Sequence, residues 1–289
     1  MRKLIGLWIL GWLTMGWAQP LDVQEVHTLP RSPLVAGSAQ AQARISAGSS
    51  HSLAVRPDGT LWAAGNNAYG QLGDGTTTQR NVPVKVAGLS KVVAVAAGNA
   101  HSVAVRFDGS VWAWGNNLHG QLDTGSRGDW LTPIQVRGLS GAVAVAAGSN
   151  YSLAVRSDGT LWDWGNNSYG QLGDGTLTER LAPVQVQGLS GVVTVVAGTS
   201  SSFALRSDGT VWAWGYNRVG QLGDGTMTDR PAPVQVQGLS GVTDMAAAQF
   251  HSLAVRNDGS VWAWGANTYG QLGYGPPVYA TTPLRSLLY

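Results

Sequence analysis

Beyond residue 41 the apolar residues fall in short runs separated by Gly-rich turns, and none recurs at helical spacing. Val92 to Ala97 is rich in Val and Ala and stops at Gly98. Ser102 to Arg106 ends just before Asp108-Gly109, a dipeptide that suits a tight hairpin because Gly accepts positive φ. Val111 to Trp114 follows, then a polar loop from Gly115 to Leu122 and a variable stretch. Ile134 to Val136, entered through Pro133, ends the unit. Runs this short, in a chain with 40 Gly, predict four short strands per unit and no helix.

The unit recurs. His51–Arg56, His101–Arg106, Tyr151–Arg156, Ser201–Arg206 and His251–Arg256 align at a spacing of 50 residues without a gap. The same shift carries Trp62 onto Trp112, Trp162, Trp212 and Trp262, and Pro83 onto Pro133, Pro183, Pro233 and Pro283. A four-stranded unit cannot bury both faces alone, so units stacked around an axis are expected. The predicted fold is all-β: a β-propeller of four-stranded blades built from five 50-residue repeats. A closed five-bladed ring is favoured, since an open arc leaves edge strands exposed. Trp112 and Trp114 are two apart and share one strand face, which assigns the Trp pairs to packing between blades.

These motifs resemble the regulator of chromosome condensation repeat family. The match rests on Gly98, His101 to Val105, Asp108-Gly109, Val111 to Gly115, Asn117 and Gly120-Gln121-Leu122. Its fullest downstream form is Gly170 to Thr176 with Arg180 and Pro183. The resemblance implies a propeller, usually of seven blades, where this chain has five clear units. Family members include a guanine-nucleotide exchange factor, an ultraviolet photoreceptor and a secreted β-lactamase inhibitor. The gapless register leaves no room for the inserted wedge that exchange requires. The photoreceptor's Trp and Arg before the repeat His are absent here, where Ser49-Ser50 and its counterparts stand.

Residues 1–18 read as a secretory signal: Arg2 and Lys3, an apolar stretch from Leu4 to Trp17, and small Gly16 and Ala18 before a cut near Ala18. That stretch is shorter than the ~20 residues a membrane span needs. A secreted or periplasmic location follows, with no span in the mature chain. Residues 19–41 form an N-terminal segment whose Pro33 to Ala36 lies in phase with Pro83 to Val86, an extra fourth-strand equivalent. Residues 42–289 are the propeller. The absence of Cys excludes disulfides and lipid attachment at the cut. The whole chain carries +2, and losing Arg2 and Lys3 makes it formally neutral. With Lys85 and Lys91 the only mature lysines, nucleic acid is not an expected partner.

Repeats supply an internal control for catalysis: a residue present in every unit serves the unit. Asp58, Asp108, Asp158, Asp208 and Asp258 are turn residues by this test. Asp74, Asp174 and Asp224 belong to Gly-Asp-Gly-Thr turns, without the spacing of a phosphate loop or a calcium loop. His51, His101 and His251 recur in phase and read as structural. The position-specific residues, among them Trp130, Asp163, Tyr216, Arg218, Asp244 and Phe250, offer no matched nucleophile and base. Glu25 and Glu179 are the only glutamates and lie far apart in sequence. No catalytic residue, metal ligand or cofactor is assigned. Arg127-Gly128-Asp129 matches an integrin-recognition tripeptide, for which chance in a divergent loop is the simpler reading.

Variation is concentrated in two phases of the repeat. One precedes the second strand: Ser49, Ser50, Asn99, Ala100, Ser149, Asn150 (with Tyr151), Thr199, Ser200, Gln249 and Phe250. The other follows the third strand and includes Tyr69, His119, Tyr169, Arg218 and Tyr269. Around an axis each phase makes a circle of loop side chains, the usual place for binding on a rigid scaffold. The expected function is a non-catalytic, exported interaction scaffold for a protein or cell-envelope partner. The alternative is a secreted enzyme inhibitor of the β-lactamase-inhibitor kind. Nucleotide exchange ranks below both.

Overall fold

The computed structural model describes residues 44–288. The expected signal at 1–18 and the extra strand near Pro33 lie outside these residues. Twenty strands form five four-stranded antiparallel sheets, each in chain order, with no helix among the described residues. The propeller of five four-stranded blades expected from the repeat is the fold observed. The innermost strands are Ile45–Ala47, Val92–Ala97, Ala142–Ala147, Val192–Ala197 and Val242–Ala247. The turns that follow them surround a central hollow of about 400 Å³, lined by residues of all five blades.

Each blade forms as its sequence dictates. In the second blade His101–Arg106 pairs with Val111–Gly115 across the Asp108-Gly109 turn. There Asp108 Oδ1 accepts from the Ser110 backbone at 3.0 Å and from its hydroxyl at 2.6 Å. Gly109 takes a φ of +75°, which explains the Gly. The outer strand corrects the expectation: it spans Trp130–Gln135 and does not begin after Pro133. As the edge strand it loses nothing by a missing N–H, so Pro133 sits inside it. The register shifts between Ala113 and Gly115, a bulge that re-aims the loop beyond.

The joint between blades is a repeated polar contact inside an apolar one. The Gln71 carbonyl accepts from Ser102 Oγ at 2.8 Å and from the Trp114 indole N–H at 2.9 Å, both of the next blade. Gln121, Gln171 and Gln221 repeat this with Ser152 and Trp164, Ser202 and Trp214, and Ser252 and Trp264. His51 and His101 add bonds to Ser102 and Ser152 at 2.9 and 3.1 Å. Four apolar clusters, each around one of these indoles, fill the four junctions between consecutive blades. The Trp assignment to inter-blade packing therefore holds.

Between the fifth blade and the first, no such cluster lies among the described residues. Ser52 and Ala54 are exposed where their later counterparts are buried, and Ala64 replaces the Trp. Across that seam Leu253, Val255 and Val261 are half-buried where earlier counterparts are buried. Beside Gly273, where a next-blade Trp would sit, Ser286 and Leu288 fold back, and Ser286 Oγ donates to the Leu272 carbonyl at 2.8 Å.

Two kinds of buried titratable group make stability depend on pH. Asp163 stands where the other blades have Ala63, Ala113, Ala213 and Ala263; it is fully buried and neither carboxyl oxygen has a hydrogen-bond partner. Burial pushes it well above the usual carboxylate range; the nearby Trp214 indole offsets only part of this, its N–H being committed to Gln171. A carboxyl that binds its proton more tightly when folded loses stability as pH rises above its unfolded value, about 4. Asp163→Ala is expected to stabilise the protein by about 1–3 kcal/mol at neutral pH and to remove that decline, read from denaturant midpoints across pH.

The histidines act in the opposite sense. Burial lowers His51 from 6.5 to about 4, and burial, reinforced by His51, lowers His101 to about 3. Both stay neutral when folded, so their contribution is whole above 6.5 and is lost as pH falls from there toward 4. His101→Ser, the residue found at 201, is expected to flatten the acid limb by a few kcal/mol, about 1.4 per unit of pH, in the same measurement.

Candidate functional site

The bulge after each third strand throws a long loop to one end of the propeller, and a backbone bond ties that loop to the turn before the second strand. Asn66 N donates to the Ser50 carbonyl at 2.8 Å, and Asn116, Asn166, Tyr216 and Ala266 repeat this with Ala100, Asn150, Ser200 and Phe250. Both variable phases therefore share one end of the molecule. Ser49, Asn99, Ser149, Thr199 and Gln249 line the central hollow. Ser50, Ala100, Asn150, Ser200 and Phe250 sit one residue further out. Tyr69, His119, Tyr169, Arg218 and Tyr269 stand on the outer loops, with Tyr269 93% exposed. Tyr151 is not part of this surface. Its side chain is fully buried and its hydroxyl donates to the Ser201 carbonyl at 2.7 Å, the inward position that His51 and His101 hold in their blades.

The outer loops are built around one buried amide. Asn67 Oδ1 accepts from Leu72 N at 2.9 Å, while its Nδ2 donates to the Thr76 and Thr78 carbonyls and to Asp74. Arg80 closes the loop on Asp74 at 2.7 Å. Burial raises Asp74, but bonds from Thr76 and Arg80 outweigh it and hold the carboxyl below its ordinary value. The third and fourth blades repeat the design with Asn167, Asp174, Arg180 and with Asn217, Asp224, Arg230.

The second blade departs from it, with Thr124 for Asp and Trp130 for Arg. Asn117 keeps its bonds to Leu122 N and the Ser126 carbonyl, and contacts from outside replace the Asp–Arg closure. Glu179 of the third blade accepts from Arg127 at 2.9 Å, faces His119 Nδ1 at 2.5 Å and accepts from Asn166 at 3.2 Å. Burial raises Glu179, yet His119 and Arg127 together keep it below the usual range. Asp129 accepts from Asn117 N at 3.1 Å, so the Arg and Asp of the Arg-Gly-Asp tripeptide are both engaged within the chain. Sequence spacing gave no sign of the His119–Glu179 contact, because 60 residues separate the partners and only adjacent blades bring them together.

Three aromatic side chains from three consecutive blades converge at this end. Tyr169 and Tyr216 meet edge to face, centroids 5.1 Å apart at 77°, and Phe250 lies 6.4 Å from Tyr216 at 55°. With Thr199, Ser200 and Gln249 they line a cleft of about 170 Å³. Tyr216 belongs to neither variable phase; the signal for it is that Asn66, Asn116 and Asn166 occupy its place in the first three blades. Those Asn side chains accept from the Gln71, Gln121 and Gln171 amides at 2.7–2.9 Å. With Tyr at 216, the Gln221 amide reaches only the Gln249 carbonyl, at 3.5 Å. The blade gives up a good internal bond to present an aromatic ring.

Chemically the surface is equipped for contact. Among the described residues the His119 ring bonds to Glu179 and Asn166 and to no hydroxyl, and no group of three or more His, Cys, Asp or Glu could hold a metal. No described helix is long and apolar enough to cross a membrane.

The family model of the RCC1-like domain matches residues 11–287. The chain belongs to the RCC1-like domain family. Among solved structures, this RCC1-like propeller is similar to human WBSCR16, with 27% identity and a TM-score of 0.76 over 84% of the chain. It is similar also to Prp20p from Saccharomyces cerevisiae, with 25% identity and a TM-score of 0.72 over 85% of the chain. The match spans 66% and 65% of those proteins, just under two thirds of each. No curated protein sequence matches the chain.

Glu179 anchors the divergent loop, so its removal should loosen that loop alone. Glu179→Ala is expected to cost about 1 kcal/mol and to speed protease cleavage between residues 123 and 130, read by denaturation and by mapping the cut sites.

Proposed function

We propose that this propeller is an exported interaction scaffold that grips a protein partner at its loop end. The observation that carries the proposal is the Tyr169, Tyr216 and Phe250 cleft. Its two least expected members interrupt the chain's own repeat, and one does so at the expense of an internal hydrogen bond. Aromatic residues in a partly enclosed cleft are the usual anchors of protein interfaces. A rigid sheet scaffold holds them in place before binding, which lowers the ordering cost. Family membership supports the general reading: the solved relative Prp20p is described with its binding to Gsp1p and histones, partners that belong to that protein. Residues 1–18, which read as a secretory signal, support placing the activity outside the cytoplasm.

The test replaces each aromatic with a residue the repeat already uses there, Tyr216→Asn and Phe250→Ser. The double variant is expected to melt like the wild type and to hold the partner captured by the wild type at least about tenfold more weakly, by quantitative pull-down and titration. Equal capture by both proteins would remove the cleft from the interface.

A further inference from the structure

The opposite end of the propeller carries the Asp-Gly turns and the connectors between blades, and its charge is uneven. In the third and fourth blades it is balanced: Arg156 pairs with Asp158 at 3.3 Å and Arg206 with Asp208 at 3.2 Å. Their outer strands end in neutral Gln185 and Gln235, and their connectors carry Gly191 and Gly241. The first blade differs at every one of these places, whereas the second keeps the Arg106–Asp108 pair, Gln135 and Gly141 and departs only in its connector. Lys85 replaces the Gln, Lys91 replaces the Gly, and Arg137 stands where other blades have Ala87, Gln187 and Gln237. Arg56 stacks over Trp62 at 3.8 Å, and Arg44 lies at the same end, donating to the Arg56 carbonyl at 3.0 Å. With Arg106 these make six cations facing three carboxylates, Asp58, Asp108 and Asp123.

Two of these departures adjoin. Lys91 holds a φ of +56°, where Gly141, Gly191 and Gly241 hold +67°, +64° and +66°. A left-handed backbone suits Gly and strains a Lys, so the charge is present despite a conformational cost. Its carbonyl accepts from Phe107 N at 2.8 Å. Of the three Phe in the chain, Phe203 is buried and Phe250 lines the cleft; Phe107 is 82% exposed at a turn tip where later blades carry Ser157, Ser207 and Asn257. Lys85, Lys91, Arg44, Arg56 and Arg137 are all exposed at the same end.

We propose that the turn end of the first two blades docks on an anionic lipid surface, with Phe107 entering the headgroup layer and the surrounding Lys and Arg meeting lipid phosphates. Exposed cations are drawn to negatively charged membranes, and a protruding aromatic gains by leaving water at the interface. A nucleic-acid strand suits the site less, because strand binding uses successive aromatic platforms and Phe107 stands alone. The site lies at the far end from the cleft, so the two readings stand or fall separately.

The test uses protein in the form its own cells make, sedimented with phosphatidylcholine vesicles containing about 30% phosphatidylglycerol and with phosphatidylcholine alone. Binding is expected to the anionic vesicles only and to weaken with salt. Lys91→Gly, Lys85→Gln and Phe107→Ser introduce residues that later blades carry, so the fold is preserved. Each lysine variant should weaken binding about fivefold, the phenylalanine variant comparably, and the three together should abolish it. Failure to bind anionic vesicles, equal binding to neutral ones, or wild-type affinity in the triple variant would overturn the proposal. So would displacement from vesicles by a single-stranded oligonucleotide that binds more tightly, which would reassign the surface to nucleic acid.

Discussion

The carbonyl of Gln71, with those of Gln121, Gln171 and Gln221, is the point on which the propeller turns. Each lies buried at a blade edge with two lone pairs, and the next blade supplies a donor for each: a Ser hydroxyl and a Trp indole. Leaving such a group bare would cost about 1–3 kcal/mol, so each junction has one satisfied geometry and many poor ones. The constraint spreads outward. The carbonyl is placed by the loop that carries it, the loop by the Asn67 amide, and the amide's turn by Asp74 and Arg80. Much of the repeated sequence is therefore committed to the joint. What remains free to vary is the loop surface beyond it, and there the aromatic cleft is found.

The repeat period and the hairpin turns made the architecture legible from sequence, since both follow from local chemistry. In the sequence Pro133 looks like the entry to the outer strand; only the strand's edge position makes an interior Pro harmless. Tyr151 has variable neighbours in the sequence, like a surface residue, but it begins a strand and its side chain points inward. Tyr216 was visible as a departure from Asn, and Asp163 as a departure from Ala. What the Tyr joins and what the Asp lacks depend on neighbouring blades, so sequence carried neither. The His119–Glu179 contact was beyond reach for the same reason.

The two ends of the molecule have diverged by different means. At the loop end the ion pairs are internal struts, Asp74 with Arg80 and Glu179 with Arg127, and the exposed signal is aromatic. At the turn end the struts are Arg–Asp pairs at the hairpins, and the surplus is cationic. Near-neutral overall charge thus conceals a molecule whose opposite ends differ in kind.

The joint also has a direction. At each of the four junctions the earlier blade offers a carbonyl forward and the later one places an indole backward, never the reverse. Any blade bearing both halves can be copied and set beside its original with the contact already complementary. Lengthening such a protein by gene duplication therefore needs no new interface to evolve, and the only singular surfaces are at the two ends of the series. Ala64 in place of a Trp, and Ser286 folded in beside Gly273, set the first and fifth blades apart from the joints between them.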